Sequence, residues 1–291
     1  MSASADARPA TGVGAAPGYR AARTLPLRVE LVRQLRRRRV QITLGFLAVL
    51  PFILLLAFKV GNGSSNRNSG QLADLATLSA PNFIVFALFA SAGFLFIVVV
   101  ALFFGDTVAS EASWSSLKYL LAIPVPRGRL LRQKAAVAGL LSLAGLVVLP
   151  LVALLVGVIW YGSGDFVGPT GDALPFGVAM GRIGLSVLYL AINLVWVAGL
   201  ALLLSVSTNA PLAAVGGAVL VSIVSEILDS ITALGGLREY LPTHFAYSWA
   251  DLLSNDIDWG NIARGTLSSL VFGVVFLALA GRRFATKDIT S

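Results

Sequence analysis

The stretch of sequence that decides the fold, residues 111–134, reads EASWSSLKYLLAIPVPRGRLLRQK. It separates two apolar runs, 75–105 and 135–164, neither of which contains a charged residue. Each run is longer than the roughly 20 residues that a helix needs to cross a bilayer. A short basic segment between two such runs must therefore lie at one membrane surface.

The first half of this segment has the pattern of an amphipathic helix. Trp114, Leu117 and Leu121 recur at helical spacing, which places them on one apolar face. Glu111 would lie in the first turn, where a carboxylate is favoured by the helix dipole. Pro124 ends the helix, because proline disfavours an α conformation in the residue before it. Four positive charges then precede the next apolar run.

The composition of the whole chain is that of an integral membrane protein. Of its 291 residues 57% are hydrophobic and 12% are charged, whereas soluble domains carry about 25% charged residues. The mean hydropathy is +0.84. There is no cysteine and a single histidine, His244, which excludes a disulfide framework, thiol chemistry and a histidine-based metal cluster.

Charge-free runs predict an all-α membrane protein with six transmembrane helices. One run, 183–225, is too long for a single span, and its polar stretch SVSTNAP at 205–211 predicts a turn. We expect residues 1–24 to be disordered and 25–291 to form one six-helix transmembrane domain. The predicted spans are about 40–60, 83–104, 136–160, 183–206, 212–228 and 265–281.

The distribution of cations predicts the orientation of these spans. With the N-terminus inside, the cytoplasmic segments hold 17 of the 22 Lys and Arg residues. The positive-inside rule therefore predicts a multi-pass protein of the cell membrane with both termini in the cytoplasm. The net charge of +8 is then a signal of topology, and nucleic acid is not an expected partner.

Two further segments are predicted to lie at membrane surfaces. Leu27, Leu31 and Leu35 form one apolar face among arginines, which indicates an interfacial helix before the first span. Residues 229–264 are too rich in aromatic and aliphatic groups for a solvated loop. Two short helices dipping back towards the membrane fit that composition, provided that protein covers their broken backbone.

Around residues 111–134 the chain resembles the membrane subunits of type-2 ABC transporters. In those subunits a Glu after the second span is followed four residues on by Gly-Thr-Leu, then by a Leu pair, Pro, Arg and Lys. The matching residues here are Glu111, Ser115, Ser116, Leu117, Leu120, Leu121, Pro124, Arg127 and Lys134. Ser115 and Ser116 depart from the family pattern. The likeness extends to the six spans, the interfacial helix and the re-entrant region.

The resemblance implies a permease half of an exporter. The coupling helix, with Trp114 on its apolar face, would dock on a separate ATPase subunit that binds ATP and magnesium. A second permease copy or a related chain would complete the pathway in the lipid. This chain has no GxxxxGK[ST] sequence, so we expect no cofactor and no ATP hydrolysis of its own. The apolar spans suit a lipophilic or amphipathic cargo.

Two residues are candidates for the substrate pathway. Glu226 is an acid near the end of the fifth span, where the alternative is a wetted residue paired with a nearby arginine. Asn193 lies mid-span, where an interhelical hydrogen bond is the commoner use. Three other functions stay open: an ion-gradient transporter, a membrane-embedded enzyme and a non-transporting membrane anchor. An ion-gradient transporter would favour charged residues at mid-span. A membrane-embedded enzyme would need a nucleophile or a metal cluster, and the composition offers few residues for either.

Overall fold

A computed structural model describes residues 27–61, 71–113, 127–169 and 171–286. Nearly all of this part of the chain is helical, and one two-stranded antiparallel hairpin accompanies the helices. The helices are α1 (Leu27–Leu35), α2 (Arg38–Gly61), α3 (Gln71–Leu75), α4 (Ala80–Ala92), α5 (Leu95–Ser113), α6 (Arg127–Tyr161), α7 (Phe176–Asn193), α8 (Val195–Ser207), α9 (Pro211–Ser230) and α10 (Trp259–Thr286). The strands are β1 (Phe166–Val167) and β2 (Ala173–Leu174), and two 3₁₀ helices cover Thr232–Tyr240 and Ser248–Leu253.

Six helical segments are long and apolar enough to cross a membrane, which confirms the predicted fold class. These candidate spans are Arg38–Val60, Leu95–Ser113, Arg127–Tyr161, Phe176–Ser207, Pro211–Ser230 and Trp259–Thr286. The turn predicted within 205–211 is present, since α8 ends at Ser207 and α9 begins at Pro211.

The second span differs from the prediction. The predicted range 83–104 straddles a break between α4 and α5, and the candidate span is α5, which continues to Ser113. We ended the predicted span before Asp106 because a carboxylate is costly in a bilayer. In the structure Arg37 and Arg39 both bond Asp106, so the helix continues through it.

The fourth and sixth spans also extend beyond the charges that bounded their predictions. The fourth begins at Phe176 and includes Arg182, whose guanidinium donates to two backbone carbonyls. The sixth runs from Trp259 to Thr286 and includes Arg264 near its start. Charges near a helix end do not stop these helices, because a long side chain can hold its charge away from the apolar surface.

The interior of the bundle is built on α5 and α8. Of the candidate spans α5 is the most buried, whereas α2, α9 and α10 leave most of their surface exposed. A close approach joins α8 to α10, where a Cβ placed on Gly199 would meet the carbonyl oxygen of Gly273 at 2.8 Å. Small residues at such crossings let two backbones touch, which is a common way of packing helices in a membrane.

The predicted re-entrant region is a broken helical segment that α7 covers. Its first 3₁₀ helix is interrupted at Gly235, whose φ is +52°. On one face of α7, Arg182, Ser186 and Tyr189 donate hydrogen bonds to backbone carbonyls of residues 245–254. These bonds satisfy polar groups that a helix would otherwise satisfy internally, as broken backbone at membrane depth requires.

Candidate functional site

Four charged side chains meet where α1, the last turn of α5 and the first turns of α6 come together. We call Glu30, Arg33, Glu111 and Lys134 the base cluster. Oε1 of Glu111 lies 2.5 Å from Nζ of Lys134 and 2.8 Å from Nη2 of Arg33. Oε1 of Glu30 lies 2.8 Å from Nη2 of Arg33 and 3.6 Å from Nζ of Lys134. The two carboxylates and two cations therefore form one network of ion pairs whose four charges balance.

The central pair of the base cluster is buried. Glu111 is 3% exposed and Lys134 is 4% exposed. Removing an ion from water costs several kcal/mol, and only a partner at hydrogen-bond distance offsets that cost. Since α5 and α6 each supply one member, the pair fixes the two helices to each other at this end of the bundle.

The third helix of the cluster, α1, is fixed by its own charges. Burial alone would raise the pKa of Glu30, but the hydrogen bond from Arg33 and the charge of Lys134 hold that pKa below its usual value. Burial would likewise lower the pKa of Arg33, and its bonds to Glu30 and Glu111 instead raise it. Both groups are therefore charged at neutral pH, and α1 turns its charged face to the bundle. Leu27, which belongs to the predicted apolar face, stays exposed.

A second ion-pair site lies one and a half turns further into α5. Asp106 accepts hydrogen bonds from Arg39 and, at 3.4 Å, from Arg37. Arg37 lies between α1 and α2, and Arg39 lies in the first turn of α2. Together with the base cluster these ion pairs tie α1 and the start of α2 to α5.

A buried hydroxyl joins α5 to α8 close to these charges. Oγ of Ser205 accepts hydrogen bonds from the backbone amides of Val108 and Ala109, each at 3.0 Å. Ser205 is fully buried. The sequence prediction placed this residue near the end of the fourth span, at the start of the polar stretch 205–211, and no pattern in the sequence marks it as a contact of α5.

The predicted coupling residues fall into two groups. Glu111 and Lys134 are the central pair of the base cluster, and Arg127, the first residue of α6, donates to the carbonyl of Ala285 at 3.1 Å. Glu111 lies inside α5, so the helix start that we predicted beside it is wrong. The other predicted residues lie outside the described part of the chain; they are Trp114, Ser115, Ser116, Leu117, Leu120, Leu121 and Pro124.

At the opposite end of the bundle, Glu226 belongs to a small polar group around the broken segment. Its carboxylate approaches Gly93 and Tyr247, and burial together with the charge of Glu226 raises the pKa of Tyr247. Three residues further along α9, Asp229 lies 2.5 Å from Nδ1 of His244. No partner for His244 could be named from the sequence, because the two residues meet only when the broken segment folds back on α9.

The other pathway candidate, Asn193, packs between helices. Its Nδ2 donates to Oγ of Ser269 at 3.0 Å, and both residues are buried. This bond joins α7 to α10, and an interhelical hydrogen bond is the commoner use that was expected for an asparagine at mid-span. Its contact with substrate stays a prediction. Across the residues with described positions, no group of three or more His, Asp and Glu side chains could hold a metal ion.

Residues 27–225 match the model of a family described as ABC-2 family transporter protein. The matched range includes the base cluster, both flanks of the segment 114–126, the first four candidate spans and most of the fifth. A search of curated proteins gave no match.

Proposed function

Because the chain belongs to the ABC-2 family of transporter membrane proteins, we propose that it is the permease half of an ATP-driven exporter. Membership makes it a permease subunit of an ABC transporter and makes an ABC ATPase subunit its partner. The sequence contains no Gly-Lys pair, which the phosphate-binding loop of such ATPases requires. ATP and magnesium would therefore bind on the partner.

The observation that supports this coupling role is the position of the base cluster. The segment 114–126 follows the end of α5 at Ser113, two residues after Glu111, and precedes the start of α6 at Arg127, about two turns before Lys134. The side chains of Glu111 and Lys134 form a buried pair. A force applied to the segment would thus act on α5 and α6 as one body. Rigid-body movement of packed helices is a common form of switching.

In this proposal Glu111 and Lys134 are positioning residues. Because both are buried, they hold the ends of the segment instead of contacting the ATPase. The docking surface would be the apolar stripe of Trp114, Leu117 and Leu121, flanked by Arg127. The termini and the base cluster would face the cytoplasm, as the distribution of cations predicts.

The rest of the assembly follows from the exposed faces of the bundle. The helices α2, α9 and α10 expose apolar side chains over most of their length, so lipid and a second permease copy would cover them. A pathway between two such copies would be lined by few charges, which suits a lipophilic or amphipathic cargo. Glu226 would lie at the outer end of that pathway.

The test of the proposed function is recovery of the partner. Tagged protein extracted from its native membrane should carry a P-loop ATPase, identified by mass spectrometry. Leu117→Asp should remove that ATPase without removing the permease from the membrane. Leu237→Asp is the matched control, because it places the same charge on an exposed leucine at the opposite end of the bundle. If wild-type protein carries no P-loop ATPase, the proposed function is wrong.

A further inference from the structure

A narrow cleft of about 20 Å³ opens beside the base cluster, lined by residues of α1, α2, α5 and α6. On α5 the polar lining residue Asp106 lies nearer the base cluster than the apolar Phe103. The same order holds on α6, where Lys134 precedes Leu141. The lining therefore changes from polar to apolar with distance from the base cluster, which suits a ligand with a polar head and an apolar tail.

The mouth of the cleft carries an excess of positive charge. Arg37 and Arg39 both line it and share one carboxylate, that of Asp106, which is the one acid among the described lining residues. Lys134 also lines the cleft, but its charge is balanced within the base cluster. The side chain of Arg39 is 50% exposed. Since a guanidinium has five N–H donors, Arg39 can bond Asp106 and still donate to an anion at the mouth.

Segments outside the described part of the chain do not offset this charge in sum. Those joined to helices at this end of the bundle hold five Lys and Arg residues and two acids; they are 1–26, 114–126 and 287–291. Arg36 and Arg38, which alternate with the two lining arginines, are exposed. The surroundings of the cleft are therefore positive, and a negatively charged ligand complements them.

An exposed apolar stripe of α2 begins at Arg39. Its members follow Arg39 at i+3, i+7, i+10 and i+14, which places them on the same side of the helix, and each is exposed; they are Ile42, Phe46, Val49 and Ile53. The stripe covers about 21 Å of helix, which is more than half of the hydrocarbon thickness of a bilayer. An acyl chain from the leaflet on this side can therefore lie along the whole stripe.

We propose that an anionic phospholipid binds here, with its phosphate at Arg37 and Arg39 and one acyl chain along the stripe from Ile42 to Ile53. Arginine matches phosphate in shape as well as charge, because its planar fork donates two parallel hydrogen bonds. The cleft has room for about one water-sized group, so one phosphate oxygen enters it and the rest of the head group lies outside. A zwitterionic lipid offers the same phosphate but adds a cation that the arginines repel.

The test is native mass spectrometry of the full chain released from detergent micelles. The protein is titrated with phosphatidylglycerol or with phosphatidylcholine of the same chains. The first phosphatidylglycerol should bind about fivefold more tightly, from about 1 kcal/mol for one arginine contact. Equal affinities overturn the proposal. Inorganic phosphate should not displace the lipid, and displacement would indicate a site for a free anion. If a dimer of the chain binds no phosphatidylglycerol while the monomer does, a second copy covers the stripe and the proposal is wrong.

A matched pair of variants separates this site from general attraction to the basic run. Arg39→Gln should weaken the first phosphatidylglycerol about fivefold. Arg38→Gln removes the same charge one residue away, outside the lining of the cleft, and should weaken it less than about twofold in about 0.15 M salt, because a charge without a contact is screened. Equal effects of the two variants reject the site. If Arg39→Gln does not fold, Arg37→Gln gives the same comparison.

A third variant separates lipid binding from a purely structural role of Arg39. Asp106→Asn removes the ion pair between α2 and α5 but leaves both arginines free for phosphate. It should therefore keep or raise the affinity for phosphatidylglycerol, although it breaks the same contact as Arg39→Gln. If the two variants, both folded by circular dichroism, weaken lipid binding alike, Arg39 only positions the helices and the proposal fails.

Discussion

The buried pair of the base cluster predicts a specific pattern in a double-mutant cycle. Lys134→Met keeps the length of the side chain but leaves Glu30 and Glu111 with Arg33 as the remaining cation of the cluster. Since Glu111 is 3% exposed and keeps Arg33 as a partner, loss of the Lys134 ammonium should destabilise the fold by less than the roughly 3–5 kcal/mol of a buried charge with no partner. Glu111→Gln alone leaves an excess of positive charge and should also destabilise the protein.

The double variant distinguishes this account from loss of packing. Glu111→Gln with Lys134→Met leaves Glu30 and Arg33 as a neutral pair, so it should be about 1–3 kcal/mol more stable than the sum of the two single effects predicts. The assay is reversible unfolding in mixed micelles, followed by circular dichroism. Arg132→Met removes an exposed cation from the same helix and should change stability by about 0.5 kcal/mol or less. Strict additivity of the two single variants would refute the claim that their charges compensate each other.

Three further changes have expected outcomes in the same assay. Ser205→Ala removes the acceptor of two buried amides of α5 and should cost about 1–3 kcal/mol, whereas Ser207→Ala, at an exposed hydroxyl, should be near neutral. Gly199→Ala places a Cβ 2.8 Å from a carbonyl oxygen of α10 and should cost about 1–3 kcal/mol; Gly281→Ala, with open space around it, should cost nothing measurable. The pKa of Glu30 is lower in the folded protein than its unfolded value of 4.5. The ionised Glu30 carboxylate therefore stabilises the folded state fully above pH 4.5, and this stabilisation is lost as the pH falls through the folded-state pKa. The difference in stability between wild type and Glu30→Gln should therefore shrink below about pH 4.5, and a constant difference would contradict the assignment.

The six helices could be predicted from the sequence because their signal is local. A run of apolar residues long enough to span a bilayer is visible without knowledge of any contact. The helix bounds were less accurate, because several were placed beside a charged residue. Asp106 illustrates the reason: its partner Arg39 is 67 residues away, so its compensation depends on the tertiary fold.

The candidate site was predicted in its residues but not in its arrangement. Glu111 and Lys134 were both selected through the resemblance to the family pattern, yet their mutual pairing is a contact between two helices. Glu30 was not selected, although an acid among the arginines of a basic helix is a signal for an ion pair. Arg182 covers the broken segment by donating hydrogen bonds to two of its backbone carbonyls, and no sequence pattern encodes where those carbonyls lie.

The central claim is that the segment 114–126 meets a separate ATPase, and site-specific photo-crosslinking tests it most directly. A benzophenone amino acid at Leu117 should give, in native membranes, an adduct that contains a P-loop ATPase. The same group at Leu237 should not give that adduct. If irradiation at Leu117 joins the chain only to lipid or to proteins without a P-loop, the segment is not a docking surface for an ATPase.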